Sequence, residues 1–290
     1  MKIKPITARL CLWSSAVLTF VGVILRTVAM FTCFDTETGY FNDSLLTTLV
    51  TILSFAAALL PMILSIATPK GTLPTVWPEP KRDLAPVLPF ALFTSSGVWI
   101  LWQYVSDSQD NILLLLAGGL SLVAALYDLL LISRSAGKGI NVNALAAIGY
   151  APIFWSLLSV AETYTDQFTT MNSPIKLGLQ FGFLSVALTM VAELRFRLGK
   201  STPRAALCFH AIALYFCLTG SIPTLIALAA GILNRPIHGA YALALLGAGV
   251  YAAFRLVYYF TIPSPEITQL EATDTETHET DSDPHHIIGE

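Results

Sequence analysis

Residues 112–138 read ILLLLAGGLSLVAALYDLLLISRSAGK. From Ile112 to Ser133 the only charged side chain is Asp128, and Arg134 and Lys138 follow directly. An apolar run of this length crosses the roughly 30 Å hydrocarbon core of a bilayer as one helix. The basic residues at its end mark where the chain returns to water. This stretch therefore predicts a transmembrane helix, and the question becomes how many more surround it.

Working outward, comparable runs lie at 86–105 and 141–162, then at 44–67 and 174–194, and finally at 10–33, 205–233 and 237–262. The expectation is an all-α polytopic bundle of eight spans over residues 1–263. The basic stretch MKIKPITARL leads into an apolar run longer than a secretory signal core, so it reads as an uncleaved first span. Composition agrees. Of 290 residues, 54% are hydrophobic and only 12% charged, against about 25% charged in soluble domains, and the mean hydropathy is +0.66. The lipid bilayer is the solvent such a surface needs.

The loop at 68–85 is rich in proline, with Pro69, Pro74, Pro78 and Pro80, and reads as an extended connection with Trp77 at headgroup level. Residues 264–290 are acidic and nearly free of large apolar side chains, and they read as a disordered tail. His278, His285 and His286 in that tail are read as solvated rather than as metal ligands. The four cysteines, Cys11, Cys33, Cys208 and Cys217, form no C-x-x-C pair and read as small apolar packing residues. No metal site and no cofactor are expected. With a formal net charge of -3 and no separate basic patch, no nucleic-acid partner is expected either.

Lysine and arginine positions give an orientation. With a cytoplasmic N-terminus and eight spans, the inner segments hold Lys2, Lys4, Arg9, Lys70, Lys81, Arg82, Arg134, Lys138, Arg195, Arg197, Lys200 and Arg204, twelve of the sixteen basic residues. The opposite loops carry Asp35, Glu37, Asp43, Asp107, Asp110, Glu162 and Asp166. This bias puts both termini in the cytoplasm of a cytoplasmic (plasma) membrane. Asn42-Asp43-Ser44 is a glycosylation sequon, set too close to the second span to be used.

Charges inside spans are costly and mark candidate function. Counting at about 1.5 Å per residue puts Asp128 and Arg255 at similar depth, so they form a candidate intramembrane pair. By the same count Glu193 falls near the interface and reads as a surface carboxylate. His210 reads as a packing residue. Arg26 reads as reaching outward, with Glu162 as a possible partner.

Thr219-Gly220-Ser221-Ile222-Pro223 interrupts the seventh span. Pro223 lacks the N–H that the Thr219 carbonyl would accept from. Thr219, Gly220, Ser221 and Pro223 are thus the candidate substrate- or ion-binding residues, set against a plain proline kink.

Gly178 and Gly182 in the sixth span, and Ala240, Ala244, Ala248 and Ala252 in the eighth, form small-residue faces for close helix packing. Such faces serve the chain itself, a homo-oligomer or a membrane-protein partner.

There is no H-E-x-x-H, no G-x-S-x-G elbow and no Walker A sequence, and no catalytic residue is assigned. The first functional reading is a permease-like protein or the membrane subunit of a transport system. A structural or regulatory membrane protein is second. A membrane-embedded enzyme acting on lipids, using Asp128, Glu193 and His210, is third.

Overall fold

The computed structural model describes residues 5–73, 80, 83–106, 111–166, 169–170, 173–200 and 202–261. The tail at 264–290, Trp77, most of the proline-rich loop, and Asp107 and Asp110 lie outside the described residues. Nine helices occur among those described: α1 (Ile6–Thr32), α2 (Leu45–Ala67), α3 (Val87–Ser106), α4 (Ile112–Ser135), α5 (Val142–Ile148), α6 (Ala151–Thr165), α7 (Pro174–Arg197), α8 (Pro203–Ala229) and α9 (Pro236–Thr261).

Local chemistry sets the helix ends. Ser44 and Thr47 form a reciprocal capping box at the start of α2. The side chains of Asn111, Asn141 and Ser173 accept the first backbone N–H groups of α4, α5 and α7. Pro174, Pro203 and Pro236 occupy first helical positions, where a missing N–H costs nothing. Gly137, at φ +86°, closes α4. There Lys138 N–H reaches the Ser133 carbonyl, a path that needs a left-handed residue.

Seven spans are long and apolar enough to cross a membrane: α1, α2, α4, α5 with α6, α7, α8 and α9. This is an all-α, multi-pass membrane bundle. Helix α3 is 20 residues long, and Ser95, Ser96, Gly97 and Gln103 lower its hydropathy. It lies between α4 and α9. The expected fifth span is two helices rather than one. A Cβ at Gly149 would overlap the Leu194 side chain, and Tyr127 is also close. The chain bends there, and α5 and α6 both meet α4 and α7.

The packing is asymmetric. Helices α8, α7, α6, α4, α3 and α9 follow one another in contact, and α9 returns to α8, which closes a six-helix ring. Helices α1 and α2 form a hairpin against the outside of α8. In their most apolar stretches α1 and α2 are only 28% and 22% buried, against 67% for α7 and 61% for α8 and α9. Large apolar side chains dominate the hairpin surface: Trp13, Phe20, Ile52 and Phe55 are exposed, as suits lipid contact.

The small-residue faces are used inside the chain. A Cβ at Gly178 would overlap the Arg26 guanidinium, one at Gly182 would lie 2.8 Å from Leu245, and one at Gly220 would lie 2.8 Å from the Gly178 carbonyl. Ala240, Ala244 and Ala252 are fully buried.

Helix direction sorts the loops onto two ends. Arg134, Lys138, Arg195, Arg197, Lys200 and Arg204 share one, called here the basic end. Asp35, Asp43 and Asp166 share the acidic end. At the acidic end Asp35 accepts from the Glu37 N–H and from the Thr38 N–H and hydroxyl. The Glu37 N–H, above all, holds its carboxyl below the usual range.

Candidate solute site in the ring interior

Toward the basic end the ring encloses a cluster drawn from several helices. Glu193 of α7 is fully buried, not on the surface as its count along the helix suggested. Its Oε1 lies 2.6 Å from Arg197 Nη2 and 3.5 Å from Arg255 Nη2, and accepts from the Tyr251 hydroxyl at 2.8 Å. His210 Nδ1 lies 2.8 Å from the Ala206 carbonyl, with Nε2 3.8 Å from Glu193 Oε2. Arg255 also pairs with Asp83, from the segment before α3, at 2.9 Å, and its guanidinium stacks 4.8 Å from the Tyr251 ring centre. Asp83 and Glu193 thus meet Arg197 and Arg255, two acids to two bases; Glu193 and Arg255 lie about 10 Å from the middle of their helices, and Arg197 is at the end of α7.

Asp128 sits beside this cluster and outside it. The expected Asp128–Arg255 contact is not among the ion pairs of Arg255, which uses Asp83 and Glu193 instead. Asp128 is 6% exposed, and among the described residues its carboxyl makes no hydrogen bond and no ion pair. It borders a small cavity of about 20 Å³, room for about one water, lined otherwise by Pro89, Phe93, Tyr127, Pro152, Val186, Thr189, Met190, Ala213, Ala248 and Tyr251. Neither Glu193 nor His210 is in that lining.

An aromatic series bounds the cavity on its far side. Phe93, which lines it, meets Trp155 edge-to-face at 4.9 Å; Trp155 meets Phe183 at 5.3 Å; and Phe183 meets Tyr241 at 5.4 Å. Edge-to-face contacts of this kind lock rings from separate helices together. Trp155 Nε1 and Ser159 Oγ, on the α6 face toward the acidic end, are buried without a hydrogen-bond partner among the described residues. Trp155, Ser159 and Glu162 recur at helical spacing and form one stripe.

Beyond the rings lies the acidic-end cluster. Asp166 pairs with Arg235 at 3.1 Å and accepts from the Thr169 hydroxyl at 2.6 Å, with His238 at 4.0 Å. Lys176 donates to the Asp166 carbonyl. Arg26 donates to the Pro174 carbonyl at 2.5 Å, not to Glu162.

The Thr219–Pro223 segment is placed differently from its sequence expectation. Helix α8 runs unbroken through it. The Thr219 hydroxyl donates to the Tyr215 carbonyl and the Thr224 hydroxyl to the Gly220 carbonyl, both at 2.7 Å. Ser221 donates to the Leu218 carbonyl. Gly220 is packed on Gly178. These hydroxyls bond the helix itself, and Thr219, Gly220, Ser221 and Pro223 are not in the lining of the Asp128 cavity.

Among the described residues no group of three His, Cys, Asp or Glu side chains is arranged to hold a metal ion. No family model, curated protein or solved structure matches the chain.

Proposed function

We propose that this chain is a permease-like carrier of the cytoplasmic membrane, with both termini in the cytoplasm and its solute site at Asp128. One observation carries the reading: a buried carboxyl that makes no ion pair or hydrogen bond among the described residues borders a cavity inside a closed ring of helices. An ionisable group within the membrane that no salt bridge occupies is a functional site by default. The aromatic series supports a gate between that cavity and the acidic end. The polar stripe of α6 supports a route past the gate, because buried polar atoms need water or a ligand. The basic end is cytoplasmic on the positive-inside rule, with α3 as the eighth span.

Labelling of single cysteines tests this. In a chain with its four native cysteines replaced by alanine, Ala213→Cys and Ala248→Cys put a thiol in the cavity lining. A membrane-impermeant thiol reagent should reach them from the basic side and, in a separate fraction of molecules, from the acidic side. Labelling from neither side would make this a dry bundle and end the carrier reading.

A further inference from the structure

Helix α1 packs chiefly on α2 and α8, yet the Arg26 side chain reaches α7. Its Nη2 donates to the Pro174 carbonyl at 2.5 Å. A Cβ at Gly178 would overlap the guanidinium at Nη2, Cζ and Nη1 alike, so glycine leaves room for the group to lie flat on the α7 backbone. Among the described residues Arg26 makes no ion pair. Its Nε is buried without a hydrogen-bond partner. Its Nη1 makes no hydrogen bond either but is not buried, and opens onto the outer surface of the bundle. Two of the three nitrogens of a permanently charged group are thus uncommitted, and one of them is within reach from outside.

Depth and surroundings say which anion. Counted at about 1.5 Å per residue, Gly178 lies about 11 Å and Pro174 about 17 Å from the middle of α7. The guanidinium between them sits at the edge of a hydrocarbon core that extends about 15 Å to each side, where phospholipid headgroups begin. A long basic side chain near a helix end carries its head to that level. The surface beside it is apolar. Leu177 and Phe181, one turn apart on α7, are exposed, and Phe181 packs on Phe216 of α8 with ring centres 5.4 Å apart. A free anion would use the guanidinium and not the rings. A phospholipid uses both, with its phosphate on the charge and an acyl chain on the rings.

We propose that Arg26 and Gly178 form a binding site for an anionic glycerophospholipid of the acidic-end leaflet, with its phosphate on Arg26 Nη1 and an acyl chain along Phe181 and Phe216. A guanidinium–phosphate contact is a charge-assisted hydrogen bond, stronger than a neutral one. Bound there, the lipid ties the α1–α2 hairpin to the ring at α7, whereas α1 otherwise meets the ring chiefly at α8. The site is separate from the Asp128 cavity, whose lining includes neither Arg26 nor Gly178. It stands whether or not the chain is a carrier.

The probe is phosphatidylglycerol with a photoactivatable diazirine in one acyl chain, mixed with the purified full chain in detergent micelles. After illumination the modified peptides are mapped by mass spectrometry. Adducts should fall on residues 177–184 of α7 and around Phe216 of α8. Arg26→Gln should lower labelling there at least about tenfold, since a hydrogen bond to a charged group is lost, and should leave any labelling near Arg134 at the basic end unchanged. Arg26→Lys should keep most of it. Unlabelled phosphatidylglycerol should displace the probe. Phosphatidylcholine of the same chains, whose choline offsets the phosphate charge, should do so several-fold less well, and sodium phosphate should not. Equal labelling of the native and Arg26→Gln chains, or equal competition by phosphatidylcholine, would make this ordinary lipid-facing surface and overturn the site. Displacement by sodium phosphate would make Arg26 a free-anion site and overturn the lipid. If Arg26→Gln does not fold, the competition series on the native chain decides alone.

Discussion

Glu193 and Asp128 lie toward the same end of one bundle, and both are buried carboxyls. Their surroundings differ completely. Glu193 is held by Arg197, Arg255 and Tyr251, with His210 close by. Among the described residues Asp128 makes no hydrogen bond or ion pair, feels Arg255 only at longer range, and faces a cavity. The first region is a clasp joining α7, α8 and α9, and through Asp83 the start of α3. The second is a wall with one charge exposed to whatever enters. Burial of an acid in a membrane does not by itself mark function. What its charge is matched against decides between a structural and a binding role.

Breaking the clasp should have the largest effect. Glu193→Gln leaves Arg197 and Arg255 short of a buried counter-charge and should cost about 3–5 kcal/mol. It would be read as a lower detergent melting temperature and reduced yield of folded protein. A Glu193→Gln chain as stable as the native one would mean that the clasp does not hold the helices. Tyr251→Phe removes one hydrogen bond to the same carboxylate and should cost about 1.5–3 kcal/mol, measured the same way.

A control away from the charges sharpens the contrast. Gly220→Ala sets a methyl against the Gly178 backbone, which cannot easily move, and should cost about 1–3 kcal/mol. It should leave thiol labelling of Ala213→Cys and Ala248→Cys unchanged, because Gly220 does not line the cavity. The smallest stability change belongs to Asp128→Asn. No partner is lost, and an amide is cheaper to bury than a carboxylate. Stability should stay within about 1 kcal/mol of the native chain or rise. A loss as large as that of Glu193→Gln would show that Asp128 belongs to the clasp.

The span pattern was legible because a bilayer demands about 20 apolar residues in sequence, and a linear signal survives in a linear chain. Helix ends fall within a few residues of the expected limits. The break between α5 and α6 has a local signal in Gly149 and in Pro152, which has no N–H to offer the Ile148 carbonyl; the close approach of Leu194 to Gly149 comes from another helix and is not legible along the chain. Asp128 and Arg255 were recognisable as charges at depth, but depth gives no azimuth. Counting along a helix cannot show that Asp83, from a connecting segment, reaches Arg255, or that Glu193 turns inward. Pro223 drew attention as a helix breaker, yet the hydroxyls of Thr219 and Thr224 bond neighbouring backbone carbonyls and the helix continues. The series Phe93, Trp155, Phe183 and Tyr241 draws one ring from each of α3, α6, α7 and α9, and no spacing within one segment reveals it.

The distinction between clasp and wall meets its most direct test in the infrared spectrum of the purified chain. A protonated carboxyl has a C=O stretch that moves when its proton is replaced by deuterium. The expected result is a carboxyl band that titrates with bulk pH, shifts promptly in D₂O and disappears in Asp128→Asn but not in Tyr251→Phe. A spectrum in which Asp128→Asn removes no titrating, exchangeable band would contradict an open Asp128, and with it the cavity as a solute site.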